Sequence, residues 1–448
     1  MHTPIRSKDR DVVIQSLRAG VVPRTGQHLI QVGRVKEIAA VIQDIERIAD
    51  NGSVIRFIIG EYGSGKTFFL YLVRAIALEK KLVTAHADLT PEKRLHSTNG
   101  KARSLYAEMM SNISTRSKPG GGAMQSIVER FVIEALKEAK SSFKNPETVI
   151  LEKLNILSEM IGGYDFAHVI ASYWKGYDSD NEQLKTDAIR WLRAEFTSKT
   201  DARDALGVRN IINDSTIYDH LKLMARFVKL SGFEGILVCL DELVNLYKLS
   251  HVQSRNSNYE QILRILNDSL QGTAVGLGVI MGGTPDFLMD TRRGLYSYSA
   301  LQSRLAENTF AVKGLVDYNS PVLRLKNLTT EDFYILLGKI RHVFAYGHPN
   351  DYLIPDEALK SFMEYCSKKI GDAYFRTPRN TIISFVNLLS VLEQNRQTTW
   401  QEILGTIDIK TDLNSDLDLA IVELNLNSTT SISTSTGNDN DNLASFKL

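Results

Sequence analysis

Cysteine is nearly absent: Cys239 and Cys366 are the two in 448 residues. So few exclude a disulfide framework and a thiolate metal site, and Cys239, inside an apolar run, is most simply a small core residue. The nine histidines are scattered, without the H-x-x-x-H or H-E-x-x-H spacing of a zinc site. No apolar run approaches the roughly 18 residues needed to cross a bilayer. The opening MHTPIRSKDRD has no apolar h-region, so a cytoplasmic chain with no membrane partner is expected. Net charge is nearly absent too, at +1, which leaves no overall electrostatic footprint for nucleic acid. The charge is nevertheless uneven. Arg6, Lys8, Arg10, Arg18, Arg24, Arg34 and Lys36 face only Asp9 and Asp11 in the first 36 residues, which reads most simply as a solvated basic arm, whereas acids dominate after residue 400.

What is present is a phosphate-binding template. Residues 60–67 read GEYGSGKT, filling G-x-x-x-x-G-K-[ST] at every fixed position, directly after the apolar run Val54, Ile55, Phe57, Ile58 and Ile59. Glycines at 60, 63 and 65 allow the backbone to turn tightly, so that its N–H groups face phosphates. Lys66 can reach the β and γ oxygens and Thr67 can hold Mg²⁺, so ATP and Mg²⁺ are the expected ligands. Gly60, Glu61, Tyr62, Gly63, Ser64, Gly65, Lys66, Thr67 and Phe68 together form the expected cradle. Phe69, Leu70, Leu72, Val73 and Ile76 then supply the apolar face of the helix that must follow.

The rest of the chain divides around this motif. After a basic arm at 1–36, residues 37–123 read as the first half of a P-loop core, with a second strand over 82–88. The turn-rich KPGGGA at 118–123 opens a helical insertion, 124–229, whose Tyr173, Trp174, Trp191 and Phe196 fall at helical spacing among apolar residues and read as core anchors. Strands resume at 235–240, 275–281 and 322–325, making 230–328 the second half of the core. Helical patterns over 329–397 read as a lid. An acidic segment at 398–427 precedes a tail at 428–448 whose Ser, Thr, Asn and Asp are expected to be disordered. Strand and helix alternation predicts an α/β fold with a parallel five-stranded sheet.

The chemistry gathers at predicted strand ends. Asp241-Glu242 closes a buried apolar strand, which places Asp241 on the Mg²⁺ shell and leaves Glu242 to orient the attacking water as general base. Thr284, after Gly282-Gly283, either touches the γ-phosphate or caps the next helix ahead of Pro285. Phosphoryl transfer also needs cations for the developing charge. Arg304 is the first candidate to act on a neighbouring subunit, Arg292 and Arg293 the second, and Arg376 and Arg379 can sense the nucleotide from the lid.

In this order the motifs resemble AAA+ ATPases, particularly the origin-recognition and Cdc6-like branch. Several strings are also similar to the BREX phage-defence ATP-binding protein family, BrxD: LRAGVVPRTG at 17–26 with VGR at 32–34, ADLTPEKRL at 87–95, ALGVRNIINDSTIYDHLKLMARFVKLSGFEGILVCLDEL at 205–243 and NYEQILRILND at 258–268. The resemblance spans most of residues 12–395. It implies an ATPase encoded with defence genes, often a helicase among them, working as a homo-oligomer on DNA. The Cdc6-like pattern departs after the lid, where residues 398–448 are acidic rather than a winged helix. Any DNA contact is therefore expected on the basic arm, on the segment Lys93, Arg94, Lys101 and Arg103, or on the helical insertion. The competing reading is a nucleotide-dependent switch or scaffold that binds a defence partner without touching DNA.

Overall fold

The chain's three-dimensional structure is a computed structural model that describes residues 4–311, 315–371 and 378–404. Arg376 and the segment beyond residue 404 lie outside the described residues. Five strands, β1 (Val54–Gly60), β2 (Val83–Asp88), β3 (Ile236–Asp241), β4 (Leu277–Gly283) and β5 (Val322–Leu325), form one sheet in the order β2-β3-β4-β1-β5. Every neighbouring pair is parallel. The continuous Val and Ile runs make this possible, since a parallel strand is covered on both faces and has no solvent side to alternate with. β1, β3 and β4 are accordingly buried at every position.

The pleat sends Val54 and Ile58 to one face, against α3 (Val35–Ala49) and α4 (Lys66–Glu79). Ile55, Phe57 and Ile59 point to the other face, against a core that runs through α5 (Lys101–Ser111) into the insertion. The insertion is helical throughout: α6 (Met124–Ser142), α7 (Pro146–Ser158), α8 (Gly163–Asp178), α9 (Glu182–Leu192), α10 (Lys199–Leu206) and α11 (Ile217–Leu230). Tyr173, Trp174, Trp191 and Phe196 are buried within it.

The segment expected as a solvated basic arm is instead folded and packed. α1 (Ser7–Arg18) and α2 (Gln27–Ile30) share a single core with the helices Thr330–Phe344, Asp356–Ile370 and Pro378–Gln394 near the end of the described chain, in which Val13, Ile14, Leu17 and Ile30 meet Phe333, Leu337, Phe362 and Phe385. Val13, Ile14 and Leu17 give α1 an apolar stripe at i, i+1 and i+4 that this packing uses. Even Arg10 is committed, with its guanidinium 4.6 Å from the Phe344 ring centroid and donating to the Phe344 carbonyl at 3.3 Å.

One charge inside the sheet is equally committed. Arg56, in the middle of β1, donates to the Asp44 carboxylate of α3 at 2.8 and 2.6 Å and to the carbonyls of Tyr318 and Ser320 at 2.8 and 2.5 Å. Their side chains are 5% and 3% exposed, so neither ion has water to fall back on. Asp44→Ala is expected to cost about 3–5 kcal/mol in chemical denaturation, because it strands a buried guanidinium, while the Asp44→Leu/Arg56→Met pair should recover most of that loss. A single-variant loss below about 1 kcal/mol, the value of an exposed pair, would show that the ion pair is solvated.

Candidate nucleotide site at the carboxyl edge of the sheet

β1 ends at Gly60, and the chain turns through Gly63 and Gly65 at φ of 79° and 81° before α4 begins. A side chain is strained at such φ, which is why glycine stands there. The turn leaves the first N–H groups of α4 directed at the mouth of the site, where the helix dipole favours an anion. Lys66 donates to the carbonyls of Gly60 and Glu61, both at 2.9 Å. Burial lowers its pKa, against the opposing pull of Asp241, Glu242 and Glu61. Ser64 is buried, and its hydroxyl has no partner among the described residues. Tyr62 stands exposed beside it, and Phe68 packs against the core that α1 and α2 share with the helices after residue 329.

Arg34 completes this side of the site. It sits at φ 62° as the residue before α3, donates to the Ser64 carbonyl, and leaves its Nη1 buried and unpartnered among the described residues. Burial lowers its pKa, opposed by Glu37 and Asp332. A guanidinium lodged against a phosphate-type loop with a spare donor is suited to hold that loop's shape or to meet its ligand.

The carboxylates come from neighbouring strands. The Thr67 hydroxyl donates to Asp241 Oδ2 at 2.7 Å, and the backbone N–H of Glu242 donates to Asp241 Oδ1 at 2.9 Å. Asp241 has room only because β4 carries glycine beside it: a Cβ at Gly282 would lie 2.5 Å from Asp241 Oδ1. Glu242 is held at φ 58°, a left-handed conformation that costs a non-glycine residue energy and that recurs at functional sites. Its pKa is raised, first by loss of solvent, then by Asp241 and Asp88, with Lys66 opposing. Asp88 lies at the end of β2, in register with Asp241, and its own pKa is raised by burial, Asp241 and Glu108.

The remaining predicted residues fall into three settings. Thr284 takes the capping role: its hydroxyl accepts from the Phe287 N–H at 3.3 Å at the start of α14 (Pro285–Met289), following α12 (Val244–Tyr247) and α13 (Val252–Leu270). That oxygen still has a proton to donate. Arg293 is a structural clamp, donating to the carbonyls of Tyr247 and Leu249 at 3.3 and 3.4 Å, while Arg292 is exposed with Asp290 at 3.9 Å. Arg304, on α15 (Ser299–Leu305), is exposed and bonds the Ala300 carbonyl of its own helix at 2.9 Å. Arg379 lies against the folded arm, where a Cβ at Gly20 would come within 3.0 Å of its Nε.

Sequence reasoning passed over Arg34 and Asp88. Arg34 stood out as a cation of the arm and as the end of the V-G-R string, but not as a site residue, although it precedes a helix start. Asp88 closes a strand with an acid just as Asp241 does, and that parallel between two apolar runs was the available signal.

The residues present fit a nucleoside triphosphate and a divalent cation. The loop offers orphaned buried donors at Ser64 and Arg34. Thr67 and Asp241 provide the hydroxyl and carboxylate that Mg²⁺ prefers. Among the described residues no group of three His, Cys, Asp or Glu could hold a metal, so the cation would be shared with phosphates. Nor, among them, is any helix long and apolar enough to cross a membrane. The family model of the BREX system ATP-binding proteins BrxC/D matches residues 5–408. No curated protein matches the sequence.

Proposed function

Since this chain belongs to the family of BREX system ATP-binding proteins BrxC/D, we propose that it is an AAA+ ATPase of anti-phage defence, hydrolysing ATP between the 60–67 loop and the Asp241-Glu242 pair. The observation that carries hydrolysis, beyond binding, is the contact of Thr67 with Asp241 at 2.7 Å beside a Glu242 held in a strained backbone. Thr67 and Asp241 would hold Mg²⁺, which when bound neutralises charge on the β and γ phosphates. Lys66 exchanges its loop carbonyls for phosphate oxygens. Glu242, whose N–H bonds the Asp241 oxygen that Thr67 does not take, accepts the proton of the attacking water, and the free hydroxyl proton of Thr284 orients that water or the γ-phosphate. Arg304 serves the site of a neighbouring copy in an oligomer.

The raised pKa of Glu242 gives a pH signature. A base acts only when ionised, so the acid limb of kcat/KM for the free enzyme is expected above the ordinary carboxylate range. Asp88→Asn removes a negative charge that disfavours ionised Glu242, so it should shift the limb to lower pH. An unmoved limb in a pH–rate profile would remove Asp88 from the site.

The ATPase is proposed to act on DNA, with loading or translocation as the work done, alongside other proteins of the defence system such as a helicase. One observation favours the switch or scaffold reading instead. The basic segment offered for DNA is largely committed: Lys93 pairs with Glu108 at 2.6 Å, Lys101 with Glu92 at 3.1 Å, and Arg103 donates to the Phe196 carbonyl at 3.1 Å. Turnover measured with and without duplex and single-stranded DNA at two salt concentrations separates the two, since phosphate contacts weaken steeply with salt. Turnover indifferent to DNA at low salt would leave the partner-switch reading.

A further inference from the structure

Only Phe143, Lys144 and Asn145 separate α6 from α7, and the turn they make is closely built. The N–H groups of Phe143 and Lys144 both donate to the Ala139 carbonyl, the second at 3.0 Å, which closes α6. Asn145 caps α7 by accepting from the Glu147 N–H at 2.8 Å, just ahead of Pro146. Below the turn the two helices are packed, α6 through Phe131, Val132, Ala135 and Ala139 and α7 through Val149, Ile150 and Leu154. Every residue from Lys140 to Asn145 is exposed, so the turn stands clear of that core. Phe143 is out of keeping with such a place. Its side chain is 98% exposed and its backbone is left-handed, at φ 53°. Helix-closing residues of this conformation are most often glycine, because a Cβ is strained there. A lone exposed apolar side chain is ordinary, but this one also carries backbone strain, and no contact in the chain offsets either.

The charges around the turn leave a cation over. Each carboxylate from Glu134 to Glu152 already has a lysine: Glu134 with Lys137 at 2.8 Å, Glu138 with Lys153 at 2.6 Å, Glu147 with Lys175 at 3.3 Å and Glu152 with Lys144 at 2.9 Å. Lys140, one turn before Lys144, has no partner among the described residues. The pair that holds Lys144 is exposed on both sides, and exposed pairs are weak enough to exchange a carboxylate for a phosphate. This polar surround decides what the ring meets. A protein pocket that takes an aromatic anchor closes around it with further apolar contact, and lysine is depleted from such interface cores. Stacked bases accept a ring by itself, with phosphates where flanking cations reach them.

We propose that Phe143 is a wedge that enters a base step of DNA, with Lys140 and Lys144 on the flanking phosphates. The packed α6 and α7 pair holds the ring forward, and the bases supply the cover that the chain itself does not. The inference rests on the reading of the chain as an ATPase that acts on DNA, and it assigns that action a point of contact that uses none of Lys93, Lys101 and Arg103.

The test uses the full chain, with and without Mg²⁺-ATP, and a DNA duplex carrying a fluorescent adenine analogue that brightens when its stacking is broken, titrated at low and moderate salt. The parent chain is expected to bind and to brighten the analogue. Phe143→Gly should keep or raise the thermal midpoint, since glycine relieves the left-handed backbone, yet lose about tenfold or more in DNA affinity and give no brightening. Phe143→Tyr keeps a ring and should brighten the analogue as the parent does. Lys140→Gln should weaken binding and reduce the salt slope by about one phosphate contact, while the bound complex still brightens. Equal affinity and equal brightening with Phe143→Gly overturn the wedge; if that variant also sediments as a smaller species than the parent, the turn belongs to a contact with a second copy instead. A parent chain that binds no DNA at low salt in either nucleotide state removes the DNA reading and the wedge together, which keeps the two failures distinct.

Discussion

Glu242→Gln is expected to lower ATP turnover by about 10²–10⁴-fold while leaving ATP bound, because the amide fills the same space and cannot accept a proton. The backbone at this position argues for the size of the effect. A non-glycine residue at φ 58° is held there by its surroundings, among them the Glu242 N–H bond to Asp241 at 2.9 Å, so the backbone that carries the carboxylate is set before any ligand arrives. Lys66→Ala provides the contrast. Its ammonium, gripped by the carbonyls of Gly60 and Glu61, sits in the loop expected to hold the phosphates, and its loss should remove binding itself. The two variants separate binding from chemistry. Equal loss of nucleotide affinity in both, measured with a fluorescent ATP analogue, would mean that Glu242 supports the pocket rather than the reaction.

Arg304→Ala is expected to reduce turnover by about 10³-fold or more if Arg304 completes a neighbour's site, the range for an arginine supplied in trans. Its setting suits that role better than that of Arg293 does. Arg304 is exposed and engaged only with the Ala300 carbonyl of its own helix among the described residues, whereas Arg293 is tied to two carbonyls. Mixing Arg304→Ala chains with Lys66→Ala chains should restore part of the activity, since some interfaces then pair an intact loop with an intact arginine. A variant within twofold of the parent, or a mixture with no recovery, would place the charge-neutralising cation elsewhere.

The sheet was legible because parallel strands announce themselves as unbroken Val and Ile runs, and the turn after β1 because its glycines have no other efficient use. The helices between Met124 and Leu230 were legible in their aromatic spacing. Arg56 shows the limit of such reading: a charge inside an apolar run is visible, but that it pairs inward with Asp44 depends on where α3 packs. The solvated reading of the arm failed for a related reason, since its conspicuous cations do not tell that Val13, Ile14 and Leu17 pack on residues more than 300 positions away. For the site, Thr67 and Asp241 could be expected to meet from their motifs alone. Asp88 could not, because its place beside Asp241 depends on the β2–β3 register. Thr284 carried two readings in sequence; the structure adds its bond to the Phe287 N–H, which one hydroxyl can make while keeping its proton for another partner.

The most direct test of the account is release of inorganic phosphate from Mg²⁺-ATP by the full chain, followed in a single turnover with and without DNA and beside Glu242→Gln. The parent chain is expected to release phosphate and the variant to retain intact ATP. ATP that stays intact on the parent chain under every condition, or is cleaved equally fast by Glu242→Gln, would contradict it.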